Sequence, residues 1–236
     1  MVGLLVGAFN ALAGGAAVVS FPILVATGIN PVSAAMTNSL GIYSANITAL
    51  LSNKSDVKSL LRIHKKFVSL ILIGTVVGAI GLSLLPEKNF EKLTPFLMLL
   101  ATYSLTPKAR EKFIRIHRHF ETVLMIAVGL YGGYFGPGVG VMVIAMLAKD
   151  VRTTPATING AKNMVTSLTG LVSNSIFIAS GKIVWSVAGA LFVGASIGGY
   201  LGGHLVHRFR AETYRAFVFV IGISSSIWMF YKYVLH

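Results

Sequence analysis

Lys162 lies seven positions after Pro155, inside an apolar stretch that reads as a helix over 156–180. At a rise of about 1.5 Å per residue it stands about 10 Å into that helix. If the helix crosses a bilayer, a lysine at its centre costs about 2.5–3.5 kcal/mol on insertion scales. The acidic residues Asp56, Glu87, Glu91, Glu111, Glu121, Asp150 and Glu212 all fall in loops or at the ends of apolar stretches, so none is placed to neutralise it. A bound anion would be the missing partner. The same distribution disfavours a carboxylate proton relay or a carboxylate-lined cation site.

The surroundings of Lys162 extend the pattern. Asn159, Lys162, Thr166, Thr169 and Ser173 are spaced 3, 4, 3 and 4 apart, which aligns them on one helical face with a cation at its entrance. Earlier in the chain Thr37, Gly41, Ser44 and Thr48 form a similar stripe. Lysine can also snorkel towards an interface, and hydroxyl stripes serve helix packing in membranes as well. A stem about one helical turn long covers only part of the depth, which favours the anion-site reading for Lys162.

A second constellation is made of glycine and proline. Gly14-Gly15, and Gly136-Pro137-Gly138 with Gly140, interrupt two long apolar segments at matching positions. Glycine relaxes the backbone and proline removes a donor. A broken helix exposes N–H groups at the start of its second half, which favours an anion there. Gly74-xxx-Gly78 and Gly194-xxx-Gly198-xxx-Gly202 read instead as close helix packing through small residues.

Other chemistries find little support. There is no cysteine, which excludes disulfides and thiolate chemistry. His64, His117, His119, His204, His207 and His236 show no ligand spacing, so no metal or other cofactor is expected. No nucleophile, base and orienting group recur at catalytic spacing, so an enzyme is not expected, and no phosphate loop marks a nucleotide-driven pump.

The elements that position these residues follow from composition. Of 236 residues 55% are hydrophobic and 11% charged, with 20 Lys+Arg against 7 Asp+Glu, a net charge of +13 and a mean hydropathy of +0.77. This is the make-up of an integral membrane protein. The bases sit in short loops beside apolar runs, where they set topology, so nucleic acid is not an expected partner. Candidate spans fall near 2–27, 31–52, 67–86, 93–106, 121–148, 156–180, 183–206 and 211–234. The segment 93–106, opening near Pro95, is short for a full crossing. Trp185, Trp228, Tyr231 and Tyr233 lie near span ends as interfacial anchors.

The basic stretch Pro107 to Phe120 divides the chain into halves that resemble each other. Gly7/Gly129, Pro31/Pro155 and Gly74/Gly194 recur in the same order at offsets of 120 to 124 residues. The expected fold is an all-α membrane protein of about eight transmembrane helices. They form two four-helix repeats, 1–106 and 121–236, each beginning with a Gly/Pro-broken helix and joined by a basic cytoplasmic linker, 107–120. The register of Pro31 with Pro155 places Asn38 opposite Lys162. Four spans per repeat imply parallel repeats, whereas inverted repeats return if 93–106 does not cross. Counting twelve Lys and Arg on one side against seven on the other puts both termini in the cytoplasm of a plasma-membrane protein.

The duplicated Gly-rich break, Pro22, Pro31 and Pro155, the Thr37-Asn38-Ser39 helix start and the eight-span layout resemble the TauE/SafE family of sulfite and sulfonate exporters, from about Gly3 to residue 234. Against that family's GxGGG-like break, the second half keeps Gly136, Gly138 and Gly140 but has Pro137 and Val139. The first half has Gly14-Gly15 followed by Ala16-Ala17. The resemblance implies a secondary transporter for small sulfur-containing or organic anions, with sites near the breaks and the helix starts that follow them.

The expected site is then a midplane cluster that binds a small anion such as sulfite. It comprises Lys162, Asn38, Ser39, Asn163, Thr37 and Thr166, with backbone groups at Gly14, Gly15, Gly136, Gly138 and Gly140. Pro31, Pro137 and Pro155 act as hinges for alternating access. An anion-selective channel, or a membrane subunit anchoring an enzyme of sulfur metabolism, would use the same features differently. Beyond substrate and bilayer, a homo-oligomer is compatible with the sequence.

Overall fold

A computed structural model describes residues 3, 7, 16–52, 65–115, 120–148, 155–205 and 211–235, and the described residues form helices and connections without strands. The helices are α1 (Ala16–Ala26), α2 (Pro31–Ser52), α3 (Lys65–Leu84), α4 (Glu87–Ser104), α5 (Pro107–Arg115), α6 (Glu121–Tyr134), α7 (Val139–Leu147), α8 (Pro155–Ser180), α9 (Trp185–Leu205) and α10 (Ala211–Phe230), the last continued by a π-helical turn, Tyr231–Leu235. Proline occupies the first position of α2, α5 and α8, where its missing N–H would have had no intrahelical partner. Asn30 caps α2 by accepting Val32 N at 2.9 Å, and Thr106 caps α5 by accepting Ala109 N at 3.2 Å.

Among the described residues the helices fit the apolar stretches except in two places, and most of the first half of 2–27 lies outside the described residues. The short stretch 93–106 belongs to a longer helix, α4, whose 18 residues extend about 27 Å. Pro95 lies within it. The stretch 121–148 is not one helix, because residues 135–138 separate α6 from α7.

Close contacts fix which way the helices run. A Cβ built on Gly74 would fall 2.1 Å from the Ile126 carbonyl oxygen, one on Gly78 2.1 Å from that of Leu130, and one on Gly129 2.0 Å from that of Ile71. α3 and α6 therefore lie backbone against backbone, glycines on both sides, and run parallel. Val184 N donates to Thr37 Oγ1 at 3.0 Å and Ser44 Oγ to Phe192 O at 2.9 Å, so α2 and α9 also run parallel. By contrast Asn163 Nδ2 donates to Ala49 O at 3.1 Å and Ser167 Oγ to Asn46 O at 3.2 Å, with Ser180 Oγ 3.4 Å from Met36 Sδ. α2 and α8, the helices that begin at Pro31 and Pro155, are antiparallel. The parallel repeats expected from an even count of crossings are thus not what the helix directions give.

Three connections share one end of the bundle. Asn30 Nδ2 donates to Glu87 Oε2 at 2.9 Å, and Lys182 Nζ donates to Ser83 O at 3.3 Å and stands 3.7 Å from Glu87 Oε1. α2, α4 and α9 start at this end, and α3 and α8 finish there. α6, parallel to α3, points towards the same end as α8. The chain must therefore turn back between α6 and α8, and α7 carries it. α7 packs on α5, which follows the far end of α4. The segment 121–148 thus enters the bundle, breaks and returns to the face it came from. The even-count argument treats 121–148 as one straight crossing, whereas residues 135–138 break it here. α10 runs antiparallel to α4, with Phe96 against Phe230 and Gly222 against Thr102.

Outside the core, large apolar side chains are exposed in rows, among them Ile73, Val77, Ile80 and Leu84 on α3 and Val220 and Ile227 on α10. Such a continuous apolar exterior suits hydrocarbon as solvent rather than water. By length and composition Lys65–Leu84 and Ala216–Leu235 are suited to cross a membrane.

Candidate functional site

The break in 121–148 is built from two left-handed glycines. Gly136 has φ 94° and Gly138 φ 87°, a region where a side chain is strained. They enclose Pro137, whose carbonyl accepts Tyr131 Oη at 2.7 Å. Val139 N reaches back to Gly136 O, and Val141 N and Met142 N to Gly138 O. That leaves the Gly140 N–H, in the first turn of α7, without a partner among the described residues, as the start of a helix must.

This break forms one wall of a cavity of about 90 Å³. Gly132, Phe135, Gly136, Pro137, Gly138, Val139 and Gly140 face Lys162, Thr166, Thr169, Gly170 and Ser173 of α8, with Asn38, Ser39, Ile42 and Asn46 of α2 and Ala17 at the start of α1. The start of α7 thus meets the cavity, where its partial positive charge adds to that of the lysine.

Lys162 is half-buried, with its stem against Gly140. Among the described residues its Nζ has no hydrogen bond or ion pair. The hydroxyls beyond it are held by their own helix: Thr166 Oγ1 donates to Lys162 O at 3.0 Å, Thr169 Oγ1 to Thr166 O at 3.1 Å and Ser173 Oγ to Gly170 O at 3.4 Å. Each hydroxyl can rotate to serve a ligand. Across the cavity Ser20 Oγ donates to Asn38 Oδ1 at 2.5 Å, which leaves the Asn38 amide N–H groups for the cavity.

The expected site residues divide. Lys162, Asn38, Ser39, Thr166, Gly136, Pro137, Gly138 and Gly140 come together around the cavity. Thr37 and Asn163 do not. Thr37 is buried against the start of α9, accepting Val184 N, and Asn163 ties α8 to Ala49 of α2. The stripe Thr37, Gly41, Ser44 is accordingly a packing seam against α9, where a Cβ on Gly41 would meet Leu191. The cavity face of α2 lies one residue further on, at Asn38, Ile42 and Asn46. Asn159 is exposed, away from the cavity. Pro31 and Pro155 start their helices, far from the break. Gly14 and Gly15 lie outside the described residues.

Ile42, Asn46, Phe135 and Gly170 complete the lining without having been expected. A spacing of four counted from Asn38 rather than Thr37 would have reached Ile42 and Asn46.

The family profile described as "Sulfite exporter TauE/SafE" matches residues 1–229. A "Probable membrane transporter protein" of Haemophilus influenzae is 27% identical over 240 residues, covering 98% of this chain and 92% of the relative. The "Probable membrane transporter protein YfcA" of Escherichia coli K12 is 23% identical, over 98% of this chain and 87% of the relative. The "Probable membrane transporter protein ORF9" of a Sinorhizobium species is 20% identical, over 94% and 87%. No solved structure matches.

Proposed function

Because the chain belongs to the TauE/SafE family of membrane transporters, and not to a family of enzymes, we propose that it is a secondary transporter, an exporter of small anions such as sulfite or sulfonates. The observation that carries this reading is Lys162. It is a cation at a cavity in the middle of an apolar bundle, with no carboxylate beside it among the described residues and the start of α7 facing it. An anion held there would take the lysine charge, the Gly140 N–H and the Asn38 amide, and Thr166, Thr169 and Ser173 would turn their hydroxyls to it. The cavity volume suits a compact oxyanion.

The topology that fits this reading has six crossing helices, α2, α3, α4, α8, α9 and α10, and two broken segments that enter and return. The two halves would be inverted relative to each other. The antiparallel pair α2/α8 supports this, as does Gly3, which packs beside Ala190, Leu191 and Gly194, in the half of α9 nearer its start. Charge distribution supports it too. The end opposite Asn30, Glu87 and Lys182 gathers fifteen of the lysines and arginines on its connections and helix ends, against four at the Asn30 end, a steeper bias than a 121–148 crossing would give. The fifteen-base end would be cytoplasmic, with both termini on the other side. Exchange of access between the two faces, with the Gly136–Gly138 break as hinge, would move the anion.

Flux measured in proteoliposomes with sulfite and ethanesulfonate tests the reading. The wild-type protein is expected to show saturable counterflow, and Lys162→Gln to lose at least 100-fold of it at equal protein amount. Undiminished flux in Lys162→Gln would overturn the assignment of the site.

A further inference from the structure

Asn174 follows Ser173, the last residue of α8 to line the cavity. Its side chain is buried, 3% exposed, and neither Nδ2 nor Oδ1 has a hydrogen-bond partner among the described residues. The rest of the seam between α8 and α2 is different. Asn163 donates to Ala49 O, Ser167 to Asn46 O and Ser180 to Phe177 O. An amide offers two donors and an acceptor with two lone pairs. Burying all of them unpaired is unfavourable, and an apolar side chain of similar size would avoid the penalty. The position is therefore held by a residue that weakens the packing of this conformation, as happens at functional sites.

Register indicates where that amide could be satisfied. Ser167 lies opposite Asn46, Gly170 against Tyr43 and Ser180 beside Met36. Asn174 accordingly faces the turn of α2 that holds Ser39, a residue of the cavity wall. Neighbouring helical residues are about 100° apart, so Asn174 borders the face that Ser173 presents to the cavity, and a rotation of α8 against α2 by part of that angle turns its amide towards the cavity edge. Asn174 is also twelve residues past Lys162, about 18 Å along the axis, towards the end where Asn30, Glu87 and Lys182 meet.

We propose that Asn174 is a second station on the translocation path, closed off in this conformation. Its amide contacts the anion after the anion leaves Lys162 and before it is released at the Asn30 end. The proposal rests on the transport reading above for its substrate, but its claim of exposure does not.

Two measurements test it. In proteoliposomes, Asn174→Leu is expected to transport sulfite at least tenfold more slowly than the wild type. Its thermal midpoint in detergent should be no lower, and its sulfite affinity within twofold. The chain has no native cysteine, so Asn174→Cys and Ser167→Cys can be compared directly for modification by a membrane-impermeant thiosulfonate, without any anion present. Asn174→Cys is expected to react at least tenfold faster. Wild-type transport by Asn174→Leu, or equal labelling of the two cysteine variants, overturns the proposal. If Asn174→Leu does not fold, or if the wild-type protein carries no sulfite, the labelling comparison alone decides whether this position opens.

Discussion

Gly140 stands against the stem of Lys162: a Cβ built on it would come 3.5 Å from Lys162 Cδ, an ordinary van der Waals contact. The nearby Gly138 is different. Its φ is 87°, and a Cβ there would fall 2.7 Å from Ser104 Oγ. Gly140→Ala should therefore fold with a thermal midpoint close to that of the wild type. Gly138→Ala should lose about 1–3 kcal/mol through backbone strain alone. Thermal unfolding followed by intrinsic fluorescence in detergent separates the two, and equal midpoints would mean that the break does not need its left-handed glycine.

The glycine seam between α3 and α6 makes a sharper stability prediction. A Cβ on Gly133 would lie 2.1 Å from the Thr75 carbonyl oxygen, whereas one on Gly189 meets nothing within 4 Å. Gly133→Ala must force two backbones apart, an overpacking that costs about 1–3 kcal/mol or more. Gly189→Ala should be neutral or slightly stabilising, because alanine is the better helix former. Yield and monodispersity on size exclusion, followed by thermal melts, give the comparison.

Removing the Lys162 charge should separate stability from binding. Without its anion the buried cation is a cost, so Lys162→Met is expected to raise the thermal midpoint of the ligand-free protein. The wild type is expected to be stabilised by sulfite, by about 2.7 kcal/mol at 100 times the dissociation constant, and the same variant should lose that stabilisation. Lys162→Arg should recover charge but only part of the transport rate, since the rigid guanidinium fork cannot take the place of a flexible ammonium beside Gly140. A sulfite-induced shift of wild-type size in Lys162→Met would place the anion elsewhere.

Orientation is checked by single cysteines introduced into the cysteine-free chain and an impermeant maleimide applied to intact cells. Lys88→Cys and Lys182→Cys should label from outside, and Ser55→Cys and Thr153→Cys only after permeabilisation. The reverse pattern would reject the inverted, re-entrant topology together with the fifteen-to-four distribution of basic residues on which its orientation rests.

Several elements were open to reading in the sequence because their signals are local. The helix starts at Pro31 and Pro155, the polar face from Lys162 to Ser173 and the break at Gly136-Pro137-Gly138 each depend on residues within a few turns of one another. Other features depend on partners far along the chain. Thr37 and Asn38 differ by about 100° around α2. Either could start a polar stripe, and only the arrival of Val184 at Thr37 and of the Gly136–Gly140 wall at Asn38 decides which one faces the cavity. Asn163 follows Lys162 directly and yet belongs to the seam with Ala49.

Composition and spacing by themselves determined that this chain is made of apolar helices with Lys162 inside one of them, since the preference of side chains for hydrocarbon or water does not depend on where the helix goes. The direction of each helix was another matter. A broken segment has the same hydropathy whether it crosses or turns back, so 121–148 could not be oriented from its own residues. The packing of α6 along α3 and of α8 against α2 fixed it, because side-chain register across an interface is satisfied in only one relative direction. That tertiary fact placed the second break at the cavity and set α8 antiparallel to α2.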